Sequence, residues 1–267
     1  MEQVAPVDVI RVRGGERTAA ADSAAAEEPM EVRLHDRPFA VIMRTPGADL
    51  ELAAGFLLAE RLISGADDLA TIEHCADNAN VVNVTLQEAI AARVERALAE
   101  RRNVVANTSC GLCGRVTIDS LRDDAAPLAG ALSLSAGVVA AMPASLRAAQ
   151  PLFDATGGLH AAGLFRSDGA LVTSAEDVGR HNAVDKVIGR LLLREQLPAS
   201  SLALCVSGRT SFEIVQKAWF AGIPALVAVS APSSLAVSLA REAGITLIGF
   251  VRDGAFNIYS NAQRITA

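Results

Sequence analysis

The sequence predicts an α/β fold whose sheet is covered by helices on both faces. The 267 residues are 51% hydrophobic, which is enough apolar material to bury a sizeable core. The second half of the chain alternates apolar strands with helices: strands are predicted at 202–207, 225–230 and 246–251, and helices at 211–221 and 233–243. Buried strands that alternate with helices are typical of βαβ units in a sheet covered on both sides.

The first half of the chain is predicted to contain a smaller, β-containing region. Residues 1–29 are interpreted as a variable N-terminal segment, with a short strand at 7–13 and an Ala/Glu-rich, mobile surface loop at 14–29. Alternation of apolar and polar residues on both sides of Pro38 predicts a hairpin with an edge strand. The predicted elements are hairpin strands at 31–34 and 39–45, a helix at 49–63 capped by Asp49, a strand at 81–86 and a helix at 88–101.

Residues 30–267 are predicted to form one domain, because neither an internal repeat nor an interdomain linker is evident. Its α/β half covers about 157–260. The remaining predicted elements are helices at 135–142 and 143–153, a hairpin at 161–165 and 170–174, a helix at 180–196 and a last strand at 256–260.

Charge and composition disfavour several partners. The formal net charge of −6 and the pI of 5.3 disfavour non-specific binding to nucleic acid or to an anionic membrane. No apolar run reaches the ~18 residues of a membrane span, and the start of the chain lacks the pattern of a secretion signal. We therefore expect a cytoplasmic protein with reduced thiols, in which Cys75 and Cys205 are packed side chains.

The other two cysteines lie three positions apart in a loop at residues 107–114. Cys110 and Cys113 are each followed by a glycine, Gly111 and Gly114, which lets the backbone approach a bound group or adopt positive φ. A thiol in a partly exposed turn can become reactive, because backbone N–H groups stabilise the thiolate. Three chemistries fit such a pair: a reversible disulfide, half of a zinc site, or a nucleophilic sulfur that carries a group.

His160 and residues 176–186 are two further candidates. His160 follows two glycines, which fits a loop where backbone approaches a ligand, although a lone histidine is often structural. Residues 176–186 concentrate polar side chains where a strand ends and a helix begins. They fit a solvated helix start, with His181 and Asp185 paired at i,i+4. We favour a binding site, because ligands of open α/β sheets collect outside the carboxyl ends of the strands.

Ser207, Gly208, Arg209 and Thr210 form a candidate phosphate site. They follow the most apolar strand and open a helix, whose first turn offers unpaired N–H groups and a positive dipole end. Gly208 permits close approach, Arg209 can bind two phosphate oxygens and the hydroxyls add donors. Arg252 follows the strand predicted at 246–251 and brings a second arginine to the same edge of the sheet.

Taken together, these segments resemble the FdhD-type family, the accessory sulfurtransferases of formate dehydrogenase. The segment EDVGRHNAVDK at 176–186 is highly specific, and the resemblance runs in one order from the first predicted hairpin nearly to the end of the chain. Residues before 30 lie outside it. The matching segments are 52–60, the CGLCG sequence at 110–114, 156–160, 176–186, 207–217 and 250–254.

The resemblance implies a cytidine-deaminase-like mixed sheet and a homodimer. It also implies a sulfurtransferase that accepts sulfur from a cysteine desulfurase as a cysteine persulfide. The sulfur would pass to a molybdenum cofactor with two pterin guanine dinucleotides before that cofactor enters formate dehydrogenase, and a nucleotide such as GDP could mimic part of it. No metal bound directly by the protein is expected. Deaminase chemistry is not expected either, because the His-x-Glu of the zinc-holding pattern is absent.

The resemblance also carries over to individual positions. Cys110 corresponds to the persulfide-bearing residue and Cys113 to its partner. We expect the turn at 207–210 and Arg252 to bind cofactor phosphates, and His160 and His181 to orient the cofactor or to assist proton movement. The family's cofactor-binding strand end is matched by Phe250, Val251, Arg252, Asp253, Gly254 and Ala255.

Three alternatives remain open at the level of sequence. A dithiol oxidoreductase would cycle the cysteine pair through a disulfide, although the Trp before the first cysteine that is typical of thioredoxin-like proteins is missing. A zinc-binding module would need two more ligands from His74, Cys75, His160 or Cys205. A chaperone would hold the cofactor without moving sulfur.

Overall fold

The structure is a computed structural model that describes residues 1–90, 95, 99, 126–130 and 132–267. The cysteine loop at 107–114 lies outside the described residues. So does most of the helix predicted at 88–101, of which Glu88–Ile90 form a 3₁₀ helix and Glu95 and Ala99 are helical.

The described elements follow in chain order. The strands are β1 (Val4–Arg13), β2 (Glu16–Ala25), β3 (Glu28–Leu34), β4 (Arg37–Arg44), β5 (Leu69–Cys75), β6 (Asn78–Leu86), β7 (Leu134–Ser135), β8 (His160–Phe165), β9 (Leu171–Asp177), β10 (Ala203–Val206), β11 (Ala225–Ala228), β12 (Thr246–Arg252), β13 (Ala255–Ser260) and β14 (Ile265–Thr266). The helices are α1 (Asp49–Ala59), α2 (Ala136–Ala148), α3 (Pro151–Thr156), α4 (Arg180–Leu193), α5 (Phe212–Phe220) and α6 (Ser234–Glu242).

A six-stranded mixed sheet forms the centre of the fold, in the order β13-β12-β11-β10-β8-β9. Strands β10, β11 and β12 are parallel, and β8, β9 and β13 add antiparallel pairs. The connections through α5 and α6 are the predicted βαβ units. The ends of the three parallel strands, at Val206, Ala228 and Arg252, therefore lie on one side of the sheet, which we call the carboxyl edge.

Helices cover both faces of this sheet, as predicted. Successive side chains of a strand point to opposite faces, so Leu204 and Val206 of β10 enter one core while Ala203 and Cys205 enter another. Helices α1, α4, α5 and α6 contribute to the first core, and α2 contributes to the second. The mixed α/β class is confirmed, and the specific likeness to cytidine deaminases stays a prediction.

A second sheet has four strands in the order β4-β3-β6-β5. The predicted hairpin is its β3–β4 pair, and β4, which contains Pro38, is an edge strand as predicted. Met30 and Val32 of β3 are fully buried in the first core. The smaller region and the central sheet thus share one core.

The predicted loop at 14–29 was wrong, because residues 16–25 form strand β2. This strand pairs with β1 along its whole length, from Val4 opposite Ala25 to Arg13 opposite Glu16. Gly14 and Gly15, with φ of 57° and 87°, form the two-residue turn that joins them. Composition alone indicated a loop, since alanine has a low strand propensity, but the cross-strand pairing with β1 overrides it.

Helix boundaries required two further corrections. The helices predicted at 135–142 and 143–153 are instead a continuous α2, which contains Pro143, followed by α3, which begins at Pro151. Ser135 caps α2 as predicted, since its side chain accepts a hydrogen bond from the Val138 N–H. Asp49 is not a cap: it is the first residue of α1, and its carboxylate binds Arg44 at 2.9 and 3.0 Å.

Helices α1 and α4 cross with their backbones in contact. A Cβ atom added to Gly55 would lie 2.1 Å from the carbonyl oxygen of Asp185, and one added to Gly189 would lie 1.8 Å from that of Glu51. Both distances are far below van der Waals contact, so only glycine fits at either position.

No helix in the described part of the chain is long and apolar enough to span a membrane.

We expect Gly55→Ala and Gly189→Ala each to lower the free energy of unfolding by about 1–3 kcal/mol or more, because the new methyl group must push the helices apart. Gly137→Ala is the matched control, since this helical glycine has only the Ser135 Oγ nearby, at 4.0 Å. Urea unfolding should show unchanged or raised stability for the control. Wild-type stability of both crossing variants would show that the helices can separate freely.

Candidate functional site

The loops after β10 and β11 meet the end of β12 along the carboxyl edge. The loop after β10 is joined to the loop after β11 by two backbone hydrogen bonds, from the Thr210 N–H to the Ala231 carbonyl and from the Ser233 N–H to the Thr210 carbonyl. The β12 segment joins them through the Phe250 N–H, which donates to the Ser230 carbonyl. The predicted site segments after β10 and β12 therefore lie on one continuous rim.

His160 lies on this rim because β8 runs antiparallel to β10, so that the start of β8 meets the end of β10. A Cβ atom at Gly208 would be 3.3 Å from the His160 Nδ1, which shows how closely the loop passes the ring. Ser207 fixes the loop, since its Oγ accepts a hydrogen bond from the Ala161 N–H at 2.9 Å. His160 and Gly208 are thus brought together at the carboxyl edge.

His181 reaches the same place from the first turn of α4. Its Nε2 lies 3.1 Å from the Ser211 Oγ, with which it forms a hydrogen bond, and 3.1 Å from the Glu213 Oε2. Burial lowers the pKa of His181 to about 3, and the positive charges of Lys217 and Arg180 and the nearby His160 ring act in the same direction. The ring is therefore neutral at pH 7.

Two positive charges and one negative charge, that of Asp177, act on His160 at the carboxyl edge. Burial lowers the pKa of His160, and the Arg180 and Arg209 guanidinium groups lower it further. Two cations close to a histidine make its protonation unfavourable, and they make an anionic ligand favourable for the same reason. The predicted arginine, Arg209, is exposed, whereas Arg180 is half-buried.

Polar atoms without partners lie at this rim. The Arg180 Nε and the Thr210 Oγ1 are buried and have no hydrogen-bond partner among the described residues. Thr210 itself is only 1% exposed. Buried donors are usually paired, so a bound group or a water that accepts hydrogen bonds is expected there.

A cavity of about 310 Å³ opens beside the two histidines. Sequence reasoning missed the part of its wall that comes from the first half of the chain. A hydrogen bond of 2.8 Å from the Asn182 side chain to the Met43 carbonyl holds that part against α4. Alternation along β4 could identify an edge strand, but no sequence pattern pairs β4 with a helix so far along the chain. The lining includes Glu27, Ile42, Met43, His160, Arg180 and His181.

Residues 250–255 comprise the end of β12, a two-residue turn and the first residue of β13. Phe250 has a φ of 55°, which is rare for a bulky residue, and is 37% exposed. Asp253 and Gly254, with φ of 52° and 76°, make the two-residue turn, which pairs Arg252 with Ala255. The Arg252 guanidinium lies 6.0 Å from the centroid of the Phe250 ring.

The side chain of Val251 points away from this rim. It is 1% exposed and packs in the second core, so it supports the strand rather than facing solvent. None of the residues 250–255 lines the cavity beside the histidines. The strand end is therefore a neighbouring part of the carboxyl edge.

Several charged residues in 176–186 are structural. Glu176 accepts hydrogen bonds from the first N–H groups of α3, at Leu152 and Phe153. The suggested pairing of His181 with Asp185 was wrong, because Asp185 instead binds Lys217 at 2.7 and 2.8 Å. Burial raises the pKa of Asp185 to about 6, and the Lys217 ammonium opposes that rise.

The cysteines fall into two groups. Cys205 is fully buried, and burial raises the pKa of its thiol to about 12, which confirms a packed, unreactive side chain. Cys75 is half-buried and unpaired. The predicted catalytic pair, Cys110 and Cys113, lies outside the described residues. Within the described part of the chain, no cluster of three or more His, Cys, Asp or Glu side chains could hold a metal ion.

A model of the FdhD/NarQ family matches residues 25–266. The chain belongs to the FdhD/NarQ family. Two relatives named sulfur carrier protein FdhD, from Streptomyces avermitilis and Streptomyces coelicolor, are each 49% identical to it over 96% of this chain and 94% of theirs. The family assignment therefore covers almost the whole length.

A solved crystal structure also matches this FdhD/NarQ chain. It is described as a formate dehydrogenase accessory protein from Desulfotalea psychrophila. The two share 27% identity and a TM-score of 0.80, over 99% of this chain and 100% of that one.

We expect His181 to make stability fall as the pH falls. Its folded pKa of about 3 lies below its ordinary value of 6.5, so between these pH values the unfolded chain binds a proton that the folded chain does not. The stabilisation is complete above 6.5 and is lost as the pH falls towards 3. Urea unfolding should be measured for the wild type and His181→Gln at pH 7.5 and 4.5. The free energy of unfolding should fall less between these two pH values for the variant than for the wild type. Equal losses would contradict a buried, neutral ring.

Proposed function

We propose that this chain is a sulfur carrier, a sulfurtransferase that receives sulfur from a cysteine desulfurase as a persulfide on Cys110. It delivers the sulfur to a molybdenum cofactor with two pterin guanine dinucleotides, which formate dehydrogenase requires. The names of the relatives and the CGLCG sequence support the sulfur chemistry. The single observation that supports the anionic cofactor as substrate is the positive carboxyl edge with its unpartnered buried donors.

The residues of the carboxyl edge fit the phosphates of such a dinucleotide. The Arg180 Nε and the Thr210 Oγ1 are donors without partners among the described residues, and Arg209 is an exposed residue of the loop that contains Thr210. Helix α5 begins directly after this loop, so its first N–H groups point towards a bound anion. Gly208 allows the phosphate to approach the backbone. Residues 250–255 would contact the rest of the cofactor from the neighbouring turn.

Of the side chains of this protein, the sulfur chemistry uses only the two loop thiols. In the loading step, the Cys110 thiolate attacks the outer sulfur of the desulfurase persulfide, and the desulfurase thiolate leaves. In the release step, the Cys113 thiolate attacks the inner sulfur of the Cys110 persulfide and expels hydrosulfide to the cofactor. This step leaves a Cys110–Cys113 disulfide, which a cellular dithiol must reduce. We propose that the protein is cytoplasmic, in keeping with the need for such a reductant. We also propose that it forms a homodimer.

Two substitutions should separate cofactor binding from sulfur delivery. Cys110→Ala should bind GDP with unchanged affinity but fail to activate formate dehydrogenase, because the persulfide cannot form. Arg209→Gln should still accept sulfur but bind GDP roughly tenfold more weakly, because a charge-assisted hydrogen bond is lost. Calorimetry and dehydrogenase activation assays measure the two properties.

Two exposed or inert residues provide the controls. Arg194→Gln, at the far end of α4, should leave GDP binding unchanged. Cys205→Ala should leave sulfur loading unchanged, because the native thiol is buried. Full activation of the dehydrogenase by Cys110→Ala would instead indicate a chaperone that moves no sulfur.

A further inference from the structure

Helices α4 and α5 face each other through two successive pairs of side chains. His181 and Asp185 are four residues apart on α4, and Glu213 and Lys217 are four residues apart on α5. Residues at this spacing lie on one face of a helix. Asp185 binds Lys217, and His181 lies against Glu213 one turn nearer the carboxyl edge.

The outer pair is poorly exposed and lies next to the cavity. The side chains of His181 and Glu213 are 16% and 10% exposed, and His181 lines the cavity beside Arg180 and His160. The His181 Nε2 faces the Ser211 Oγ and the Glu213 Oε2, both at 3.1 Å. Its other ring nitrogen, Nδ1, has no hydrogen-bond partner in the described part of the chain.

The Glu213 carboxylate lies close enough to the His181 ring, with its Oε2 3.1 Å from Nε2, to influence which ring nitrogen carries hydrogen. Burial raises the pKa of Glu213, and the nearby Asp185 and Glu60 act in the same direction, whereas the charges of Lys217 and Arg180 oppose the rise and favour the ionised form. A negative oxygen 3.1 Å from Nε2 would repel a lone pair on that nitrogen and stabilise an N–H bond there. The N–H then donates to the Ser211 Oγ, which lies in hydrogen-bonding geometry.

We propose that Glu213 is a positioning residue that, with Ser211, holds His181 with its hydrogen on Nε2 and leaves Nδ1 as an acceptor for a donor group of the bound ligand. The heterocycles of a pterin guanine dinucleotide carry such donors, as amide N–H and amino groups. The identity of the ligand rests on the proposed function. The state of the ring does not, because Ser211 and Glu213 face the ring whether or not a ligand is bound.

Nitrogen-detected NMR of protein labelled at histidine tests this directly, in the absence of nucleotide and sulfur donor. The chain has four histidines, and the His181 signals are those missing from His181→Gln. The wild type should show a neutral ring with hydrogen on Nε2 at pH 7. Glu213→Gln removes the charge with little change of shape, and it should change the ratio of the two neutral forms by roughly tenfold or more.

Two variants serve as controls. Glu213→Asp keeps the charge and should retain the Nε2–H form. Glu242→Gln, the same change at the exposed end of α6, should leave the His181 signals unchanged. Thermal unfolding of each variant reports whether it is folded.

Either of two results would overturn the proposal. One is a wild-type ring with its hydrogen on Nδ1, which decides the matter even if Glu213→Gln does not fold. The other is a folded Glu213→Gln with wild-type signals. Since the spectra need no sulfur chemistry, failure here is distinguishable from failure of the proposed function, which would appear in the activation assays.

Discussion

The backbone contact between α1 and α4 determines where the site residues lie. Gly55 of α1 touches the carbonyl of Asp185, and the side chain of Asp185 binds Lys217 on α5. One turn earlier on α4, His181 contacts Ser211 and Glu213 at the start of α5. A change in the distance between α1 and α4 would therefore move the start of α5.

A second set of buried contacts joins the two halves of the chain. The Lys186 ammonium lies 2.7 Å from the Asp177 carboxylate and donates to the Thr45 carbonyl at 2.8 Å. The Thr45 Oγ1 in turn accepts a hydrogen bond from the Val178 N–H. Removing one partner of a buried ion pair leaves an unpaired charge in the core, so these contacts are costly to break. They hold Thr45, in the first half of the chain, against the end of β9 and the start of α4.

The sequence predicted local structure well and long-range contacts poorly. The βαβ units, the β3–β4 hairpin and the edge position of Pro38 follow from local alternation and turn residues, and the structure confirms them. The structure brings His160, His181 and the loop at 207–210 together at the carboxyl edge, and their role in cofactor binding stays a prediction. Glu213 and Met43 could not be predicted, since their partners are distant in sequence. Strand β2 was missed because pairing, and not composition, makes it a strand.

The charges of the carboxyl edge give it a consistent chemical character. Arg180 and Arg209 favour an anion. Burial and the charge of Arg180 lower the pKa of both His160 and His181. A neutral histidine can accept a hydrogen bond beside a bound phosphate without adding to the charge. The site can thus bind an anionic cofactor and still offer an acceptor.

In the proposed function, the protein carries sulfur as a persulfide on Cys110. Intact mass spectrometry after incubation with a cysteine desulfurase and cysteine tests it most directly. We expect a gain of one sulfur atom that a reductant removes and that maps to the CGLCG peptide, at Cys110 and not at Cys205. A chain that activates formate dehydrogenase without ever gaining that sulfur would contradict it.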